Sequence, residues 1–174
     1  MADAHLYYAT RYGSTRRLAE ALASGADAHD VKIVLHDVAT APDPAEVPAI
    51  VLTAVIWDRP LPAMRTWLAR HGATVAPRLL AAGVVCGSAG VREGGGMSYA
   101  RGLLKRIGRP DGRRFALAGE IPARDRVGRL SWWALKLFAA AMRKPQLFTV
   151  RADLAAARAQ GEALAARLRQ TASA

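Results

Sequence analysis

The sequence predicts an α/β fold: a doubly wound, five-stranded parallel sheet in the order 2-1-3-4-5, with helices on both faces. Three observations carry that expectation. Short apolar runs alternate repeatedly with segments of helical period. One of them, AIVLTAV at 49–55, is apolar without interruption, as a parallel strand covered on both faces must be. The chain has 174 residues, 52% of them apolar, which suffices for one domain with a full core.

HLYYA (5–9) reads as the first strand and 15–23 as the first helix, with Leu18, Ala21 and Leu22 on one face. VKIVLHDV (31–38) is the second strand, and the proline-rich loop APDPAEVP (41–48) leads into the third at 49–55. Prolines suit a first helical turn, so a helix is expected over 60–70. AAGVVCG (81–87) is the fourth strand; the glycine-rich loop SAGVREGGG (88–96) and a helix over 97–107 follow. RRFALAGEI (113–121) is the fifth. A basic, aromatic, helical insertion at about 122–147 breaks the rhythm. The closing helix, 152–168, has Leu154, Ala157, Gly161, Leu164 and Leu168 as its inner stripe. Residues 1–174 are thus expected to form a single domain.

No run approaches the roughly 18 apolar residues of a membrane-spanning helix. MADAHLYYAT lacks the pattern of a secretory signal, and the lone Cys86 permits no internal disulfide. The expected location is therefore the reducing cytoplasm. His5, His29, His36 and His71 show no metal-like spacing, so no metal is expected.

In a sheet of this order, ligands sit beyond the carboxyl ends of the first and third strands, where the order reverses. Chemistry concentrates in the loops found there. Thr10, Arg11, Tyr12, Gly13, Ser14 and Thr15 crowd hydroxyls into a strand-to-helix turn. One hydroxyl is enough to cap a helix, and no capping box accounts for the others, since Arg17 and Leu18 follow Ser14 and Thr15 at that spacing. Free helix-start amides, the helix dipole and the hydroxyls of Thr10, Ser14 and Thr15 together make a cup for a phosphate. The turn is neither a Walker loop nor a G-x-G-x-x-G fingerprint. The second loop carries Ile56, Trp57 and Asp58; its indole suits a flat aromatic ring. In the third, Cys86, Gly87, Ser88, Ala89 and Gly90 are small enough for backbone amides to reach a polar ring edge. Ser88 lacks the flanking glycine of a nucleophile elbow, because Cys86 occupies that place. Cys86 itself reads as an inert buried thiol.

In these loops the chain resembles the flavodoxins. Their phosphate loop reads Ser/Thr-x-Thr-Gly-x-Thr; Thr10, Gly13 and Thr15 match, and Tyr12 replaces the middle threonine. That replacement, AMRTWLARHGATV after the aromatic loop, and MSYARGLLKRIGRPDGRRFALAGEI at 97–121 are similar to the branch related to menaquinone-dependent protoporphyrinogen dehydrogenase. The branch's Gly-Gly-x-Thr-Asp-Thr run is missing, and MRKPQLFTV stands in its region. The resemblance implies FMN as cofactor, its phosphate held by residues 10–15. Ile56, Trp57 and Asp58 would flank the ring, with Trp57 stacked on it, and residues 86–90 would touch its pyrimidine edge. It implies an oxidoreductase that oxidises protoporphyrinogen IX and passes electrons to a membrane quinone, with no essential acid or base named.

Net charge is +11, and residues 101–144 hold twelve Arg or Lys against Asp111, Glu120 and Asp125, placing +9 of it there. Such a field attracts anions, although an arginine-rich surface also serves mere solubility. Within the insertion, Leu130, Trp133, Ala134, Leu137 and Ala141 form an apolar stripe that Trp132, Leu135, Phe138 and Met142 widen. Arg126, Arg129, Lys136, Arg143 and Lys144 surround it. About fourteen helical residues reach roughly 21 Å, too short to span a bilayer. Three readings stay open: a helix in an acidic lipid interface on the inner face of the cell membrane, a cover for a porphyrinogen whose propionates meet the arginines, or a buried or homodimer-forming helix. Arg126, Arg129, Trp132, Trp133, Lys136 and Arg143 are the expected substrate or membrane contacts. No nucleic acid partner is expected on the leading reading. The rival functions are a soluble electron carrier, against which the positive charge argues, or an FMN reductase with an unrelated partner, and a non-catalytic binding protein on the same fold.

Overall fold

The computed structural model describes residues 3–90, 95–120, 128–141, 148 and 150–172. In chain order the elements are β1 (Ala4–Ala9), α1 (Ser14–Asp27), β2 (Ile33–Asp37), β3 (Ala49–Ile56), β4 (Arg59–Pro60), α2 (Pro62–Val75), β5 (Leu79–Cys86), α3 (Met97–Ile107), β6 (Arg114–Ala118), α4 (Arg129–Ala141) and α5 (Leu154–Ala172). The sheet runs β2-β1-β3-β5-β6, all parallel, which is the expected order of five strands. The two-residue β4, antiparallel to β3, is an addition that no apolar run announced.

Both faces of the sheet are covered. Leu6, Tyr8, Ile50, Leu52, Phe115 and Leu117 pack with Leu18, Leu22, Ala157 and Leu164 on the α1/α5 side. Their strand neighbours Tyr7, Ala9, Val51, Ala82 and Val84 pack with Met64, Trp67, Leu103 and Leu104 on the α2/α3 side. The period of two that turns adjacent residues to opposite faces explains why these strands read as continuous apolar runs.

Helices run longer than the sequence suggests. The first continues through Ser24 and Gly25 to Asp27, and α2 continues through Gly72 to Val75. Glycine is a poor helix former, but tertiary packing overrides that preference: Gly25 and Gly72 are both buried. In α5 the buried stripe is Ala157, Gly161, Leu164 and Ala165, with Leu168 half-buried; Leu154 is exposed, contrary to expectation. It stands in the first turn, ahead of the close approach to α1 at Arg158 and Gly161.

That approach explains Gly161. A Cβ there would lie 2.0 Å from the Leu22 carbonyl oxygen and 3.0 Å from the Ala26 nitrogen, both backbone atoms. Neither can swing aside, so Gly161→Ala must push the helices apart. Overpacking of this kind costs about 1–3 kcal/mol, partly offset by the better helix propensity of alanine. The expected result is a lower urea midpoint with an unchanged slope.

Candidate cofactor site

The carboxyl ends of β1, β3 and β5 lie side by side, with Ala9 beside Thr53 and Thr53 beside Val84. The loops after them therefore open at one end of the sheet.

After β1 the chain turns through residues 10–13 into α1. Gly13 is the N-cap, with φ of 90°, and its N–H donates to Thr10 Oγ1 at 3.0 Å. The Thr10 oxygen thus closes the loop, while its own hydrogen can still be donated. Arg11 lies over the Tyr12 ring, 5.2 Å from its centroid. Among the described residues no side-chain hydrogen bond caps α1, and its first turn presents the positive end of the helix dipole to the loop. In that turn Thr15 is 0% exposed, and its Oγ1 has no hydrogen-bond partner among the described residues. A buried hydroxyl without a partner costs about 1–3 kcal/mol. Trp67 Nε1 and Arg114 Nε share that condition but lie outside this turn. Only Thr15 sits among helix-start amides, where an anion would satisfy hydroxyl and amides together.

After β3, Trp57 and Asp58 have φ of 50° and 61°. They form the two-residue tip of a hairpin in which Ile56 pairs with Arg59 and Val55 with Pro60. Positive φ at both tip residues is the I′ pattern that strand twist favours, normally filled by Asn-Gly or Asp-Gly. Aspartate tolerates the left-handed region; tryptophan there is strained, at about 1–3 kcal/mol. Trp57 is 56% exposed. Ile56, just inside the turn, is half-buried.

After β5, residues 87–90 form a short 3₁₀ turn, and Cys86 Sγ lies 3.2 Å from Ser88 Oγ. Cys86 is buried, as an inert thiol should be, while Gly87, Ser88 and Ala89 are half-buried. Gly96, the N-cap of α3, packs its α-carbon against Cys86. One turn on, the Tyr99 hydroxyl donates to Asp58 Oδ1, joining α3 to the hairpin tip. That bond, together with burial, pushes the Tyr99 phenol up to about 12, so it stays a donor at every physiological pH. No sequence spacing points to Tyr99; only the fold brings positions 58 and 99 together.

The insertion leaves and rejoins the sheet at this same end. Just past β6, Glu120 pairs with Arg17 of α1, and the Asp153 N–H returns to the Ala118 carbonyl at 3.3 Å. Trp132 of α4 meets Phe148 edge-on at 5.0 Å, and Ala139 is buried. Trp133 and Leu137, one turn apart, are 58% and 69% exposed, so this part of the apolar stripe faces solvent. Lys136 Nζ lies 5.9 Å from the Trp132 ring centroid and 5.7 Å from that of Trp133. Arg126, Met142, Arg143 and Lys144 lie outside the described residues, as do the side chains of Arg129, Leu130 and Phe138.

A family model described as a flavodoxin domain matches residues 5–145. The chain belongs to the flavodoxin domain family. No curated protein sequence matches it. Among solved structures, this flavodoxin domain is similar to the rubredoxin oxygen:oxidoreductase of Desulfovibrio gigas, with a TM-score of 0.58 at 12% identity over 98% of this chain and 37% of that one. The chain thus spans well under half the length of that protein. A flavodoxin from the domain Archaea matches with a TM-score of 0.57 at 12% identity, over 95% of this chain and 98% of the other. A flavone reductase matches at 0.53 and 12%, over 95% and 63%. At such identities the likeness shows the fold. The cofactor of this flavodoxin domain is FMN, and the residues present fit it: the Thr15 hydroxyl, unpartnered among the described residues and set among the helix-start amides, suits the phosphate, and an exposed tryptophan, Trp57, stands at the neighbouring loop.

Proposed function

We propose that this flavodoxin domain is an FMN-dependent oxidoreductase that oxidises a porphyrinogen of the protoporphyrinogen IX kind, the electrons and protons removed reducing a membrane quinone to its quinol. The observation that carries the redox reading is the buried Thr15 hydroxyl, left without a partner among the described residues at the start of α1. FMN, when bound, supplies the electron-transfer chemistry. The chain does the rest. The first-turn amides of α1, with Ser14 and Thr15, bind the phosphate. Trp57 covers one face of the ring and keeps water from it, and the backbone of residues 86–90 orients the polar edge.

The insertion supports the substrate and acceptor. Between Asp125 and Asp153 the sequence has no acidic residue, while Arg126, Arg129, Lys136, Arg143, Lys144 and Arg151 are cationic. Arginines bind propionates well. A helix of 13 residues with exposed Trp133 and Leu137 beside Lys136 matches a segment lying in an acidic lipid interface. No helix among the described residues is long and apolar enough to cross a membrane. A peripheral position on the inner face of the cell membrane would give α4 its lipid and the active site its quinone.

Spectroscopy of the purified protein tests the reading. Flavin absorbance, FMN released on denaturation, anaerobic bleaching by protoporphyrinogen IX and recovery with a menaquinone analogue are expected. A flavin that stays oxidised under protoporphyrinogen overturns the substrate and leaves a carrier or reductase with another partner. Vesicles containing anionic lipid test the surface. Reversing Arg126, Arg129 and Arg143 should weaken binding by at least about 100-fold, given ~1 kcal/mol per cation near the surface, without changing FMN content. A parent protein that ignores such vesicles, or a homodimer that Trp133→Ala dissolves, rejects the lipid interface.

A further inference from the structure

We propose that His5 and His36 form an acid-sensitive latch: while one proton lies between them they hold the strap of residues 38–48 against the sheet through the Tyr7 hydroxyl, and a second proton releases it. The latch does not depend on FMN.

Parallel strands are usually joined through a helix, but no helix among the described residues joins β2 to β3. Residues 38–48 cross the α2/α3 side of β1 instead, and Val38 and Ala41 pack into the apolar cluster there. A row of rings lies under this strap. Tyr7, 1% exposed, stacks between His36 at 5.2 Å and Trp67 at 4.7 Å, and Trp67 meets His71 at 5.3 Å. Backbone bonds tie the ends of the strap: the Val38 N–H reaches the Tyr8 carbonyl at 2.9 Å, and the Pro48 carbonyl accepts the His5 N–H at 2.9 Å. Between those ends the Ala45 N–H donates to the Tyr7 hydroxyl at 3.2 Å. Two ion pairs also reach the strap, His71 with Asp43 at 3.8 Å and Arg78 with Glu46 at 2.9 Å. Both carboxylates are exposed, and exposed pairs contribute little.

The strap meets the histidines at the Tyr7 hydroxyl. That oxygen lies 3.3 Å from His5 Nδ1, and His36 Nε2 lies 3.2 Å from the same nitrogen. Whichever ring carries it, a single proton serves the two facing nitrogens, one donating and the other accepting. The pair tolerates one positive charge, because an imidazolium still donates to a neutral imidazole. Two charges leave no acceptor: N–H faces N–H, and two cations stand with ring centroids 4.6 Å apart. Parting these rings displaces Tyr7, which touches both, and with it the acceptor of the Ala45 N–H.

Both histidines are half-buried, within reach of solvent protons. The titratable and charged groups around them are Tyr7 on β1, Asp3 and Lys32 at the strand starts, Asp43 and Glu46 on the strap, His71 on α2 and Arg78 after it. Burial lowers both imidazoles, and the charge of His5 lowers His36 further. Rings held low in the closed form take up protons more readily once the strap is open. Closure is therefore complete above the ordinary imidazole value of about 6.5 and is lost as pH falls below it. Asp43 and His71 act with the opposite sign, since a proton on His71 strengthens their pair.

The test uses the full chain, labelled with nitrogen-15 and free of FMN. The Ala45 amide should have an order parameter near the rigid value of about 0.85 at about pH 7.5, and below about 0.6 at about pH 5. The His5 and His36 rings, followed by their own nitrogens, should both titrate below about 6.5. His36→Gln keeps a neutral group able to donate to His5 but takes up no proton, so its strap should stay ordered in acid. Tyr7→Phe keeps the stack and removes the acceptor, so Ala45 should be loose under both conditions. His71→Gln should leave the acid response unchanged. An Ala45 amide equally ordered under both conditions, or either ring titrating above about 6.5, overturns the latch. So does an acid response that survives in His36→Gln or disappears in His71→Gln, or an Ala45 that stays ordered in Tyr7→Phe. Should a variant fail to fold, the two ring titrations and the Ala45 order of the parent chain decide.

Discussion

Ser14→Ala combined with Thr15→Val should lower FMN affinity by about 100-fold or more while the unfolding of the FMN-free protein stays cooperative. Each hydrogen bond to a charged group is worth about 1.5–3 kcal/mol, and every 1.4 kcal/mol is roughly tenfold in affinity. Thr15 alone supports a sharper expectation, because its hydroxyl is buried with no partner among the described residues. In the FMN-free chain, Thr15→Val exchanges an unsatisfied hydroxyl for a methyl of similar shape and should raise stability. In the FMN-loaded chain the same change removes a phosphate ligand and should lower it. Paired denaturation curves with and without FMN therefore shift in opposite directions. A shift of the same sign in both would place the hydroxyl outside the phosphate site.

Gly96→Ala should cost the most stability of any single substitution discussed. At φ of 89° any side chain is strained, and the new Cβ would lie 2.7 Å from Cys86 Sγ and 2.9 Å from Ala116 Cβ. Left-handed strain adds about 1–2 kcal/mol and overpacking about 1–3 kcal/mol, so a loss of about 2–5 kcal/mol in urea unfolding is expected. Gly108→Ala is the control. Its φ is 84°, but nothing lies within 4 Å of its Cβ, so it should show the strain without the clash. The difference between the variants measures how tightly the start of α3 is pressed onto the end of β5.

Why the fold was so readable is visible in its strands. Leu6, Ile50, Val51 and Leu52 are fully buried because the sheet is covered on both sides, and that demand forces uninterrupted apolar runs into the sequence. The order of the strands follows from right-handed parallel crossovers, which leave few alternatives. Helix ends were read less well. Gly25 and Gly72 lie beyond the expected ends, yet α1 and α2 run through them; Gly25 makes room for the Arg158 carbonyl of α5, which is remote in sequence, whereas at Gly72 a Cβ would meet nothing closer than 3.9 Å.

The site divides in the same way. The loop proposed for the phosphate is local: strand end, turn and helix start are contiguous, so hydroxyls and glycine advertise themselves at 10–15. The hairpin was only half legible. Trp57 stood out by its residue type, but DR after it carries no turn signal of the Asn-Gly kind, and the left-handed backbone at Trp57 and Asp58 is known only from the structure. Nor does any periodicity decide which side of α4 meets the protein. Its apolar residues surround it almost entirely, so the exposure of Trp133 and Leu137 had to be seen.

By itself, then, the sequence determined the sheet and its strand order, and it marked the strand ends and the hydroxyl-rich loop on which the proposed phosphate site rests, because each is written in contiguous residues through burial period and turn chemistry. Tertiary structure alone decided that the Thr15 hydroxyl is left unpartnered, that Tyr99 clasps Asp58, and that part of the insertion's apolar stripe faces outward. These facts depend on contacts between distant segments and on the absence of such contacts, and local propensity carries no information about either.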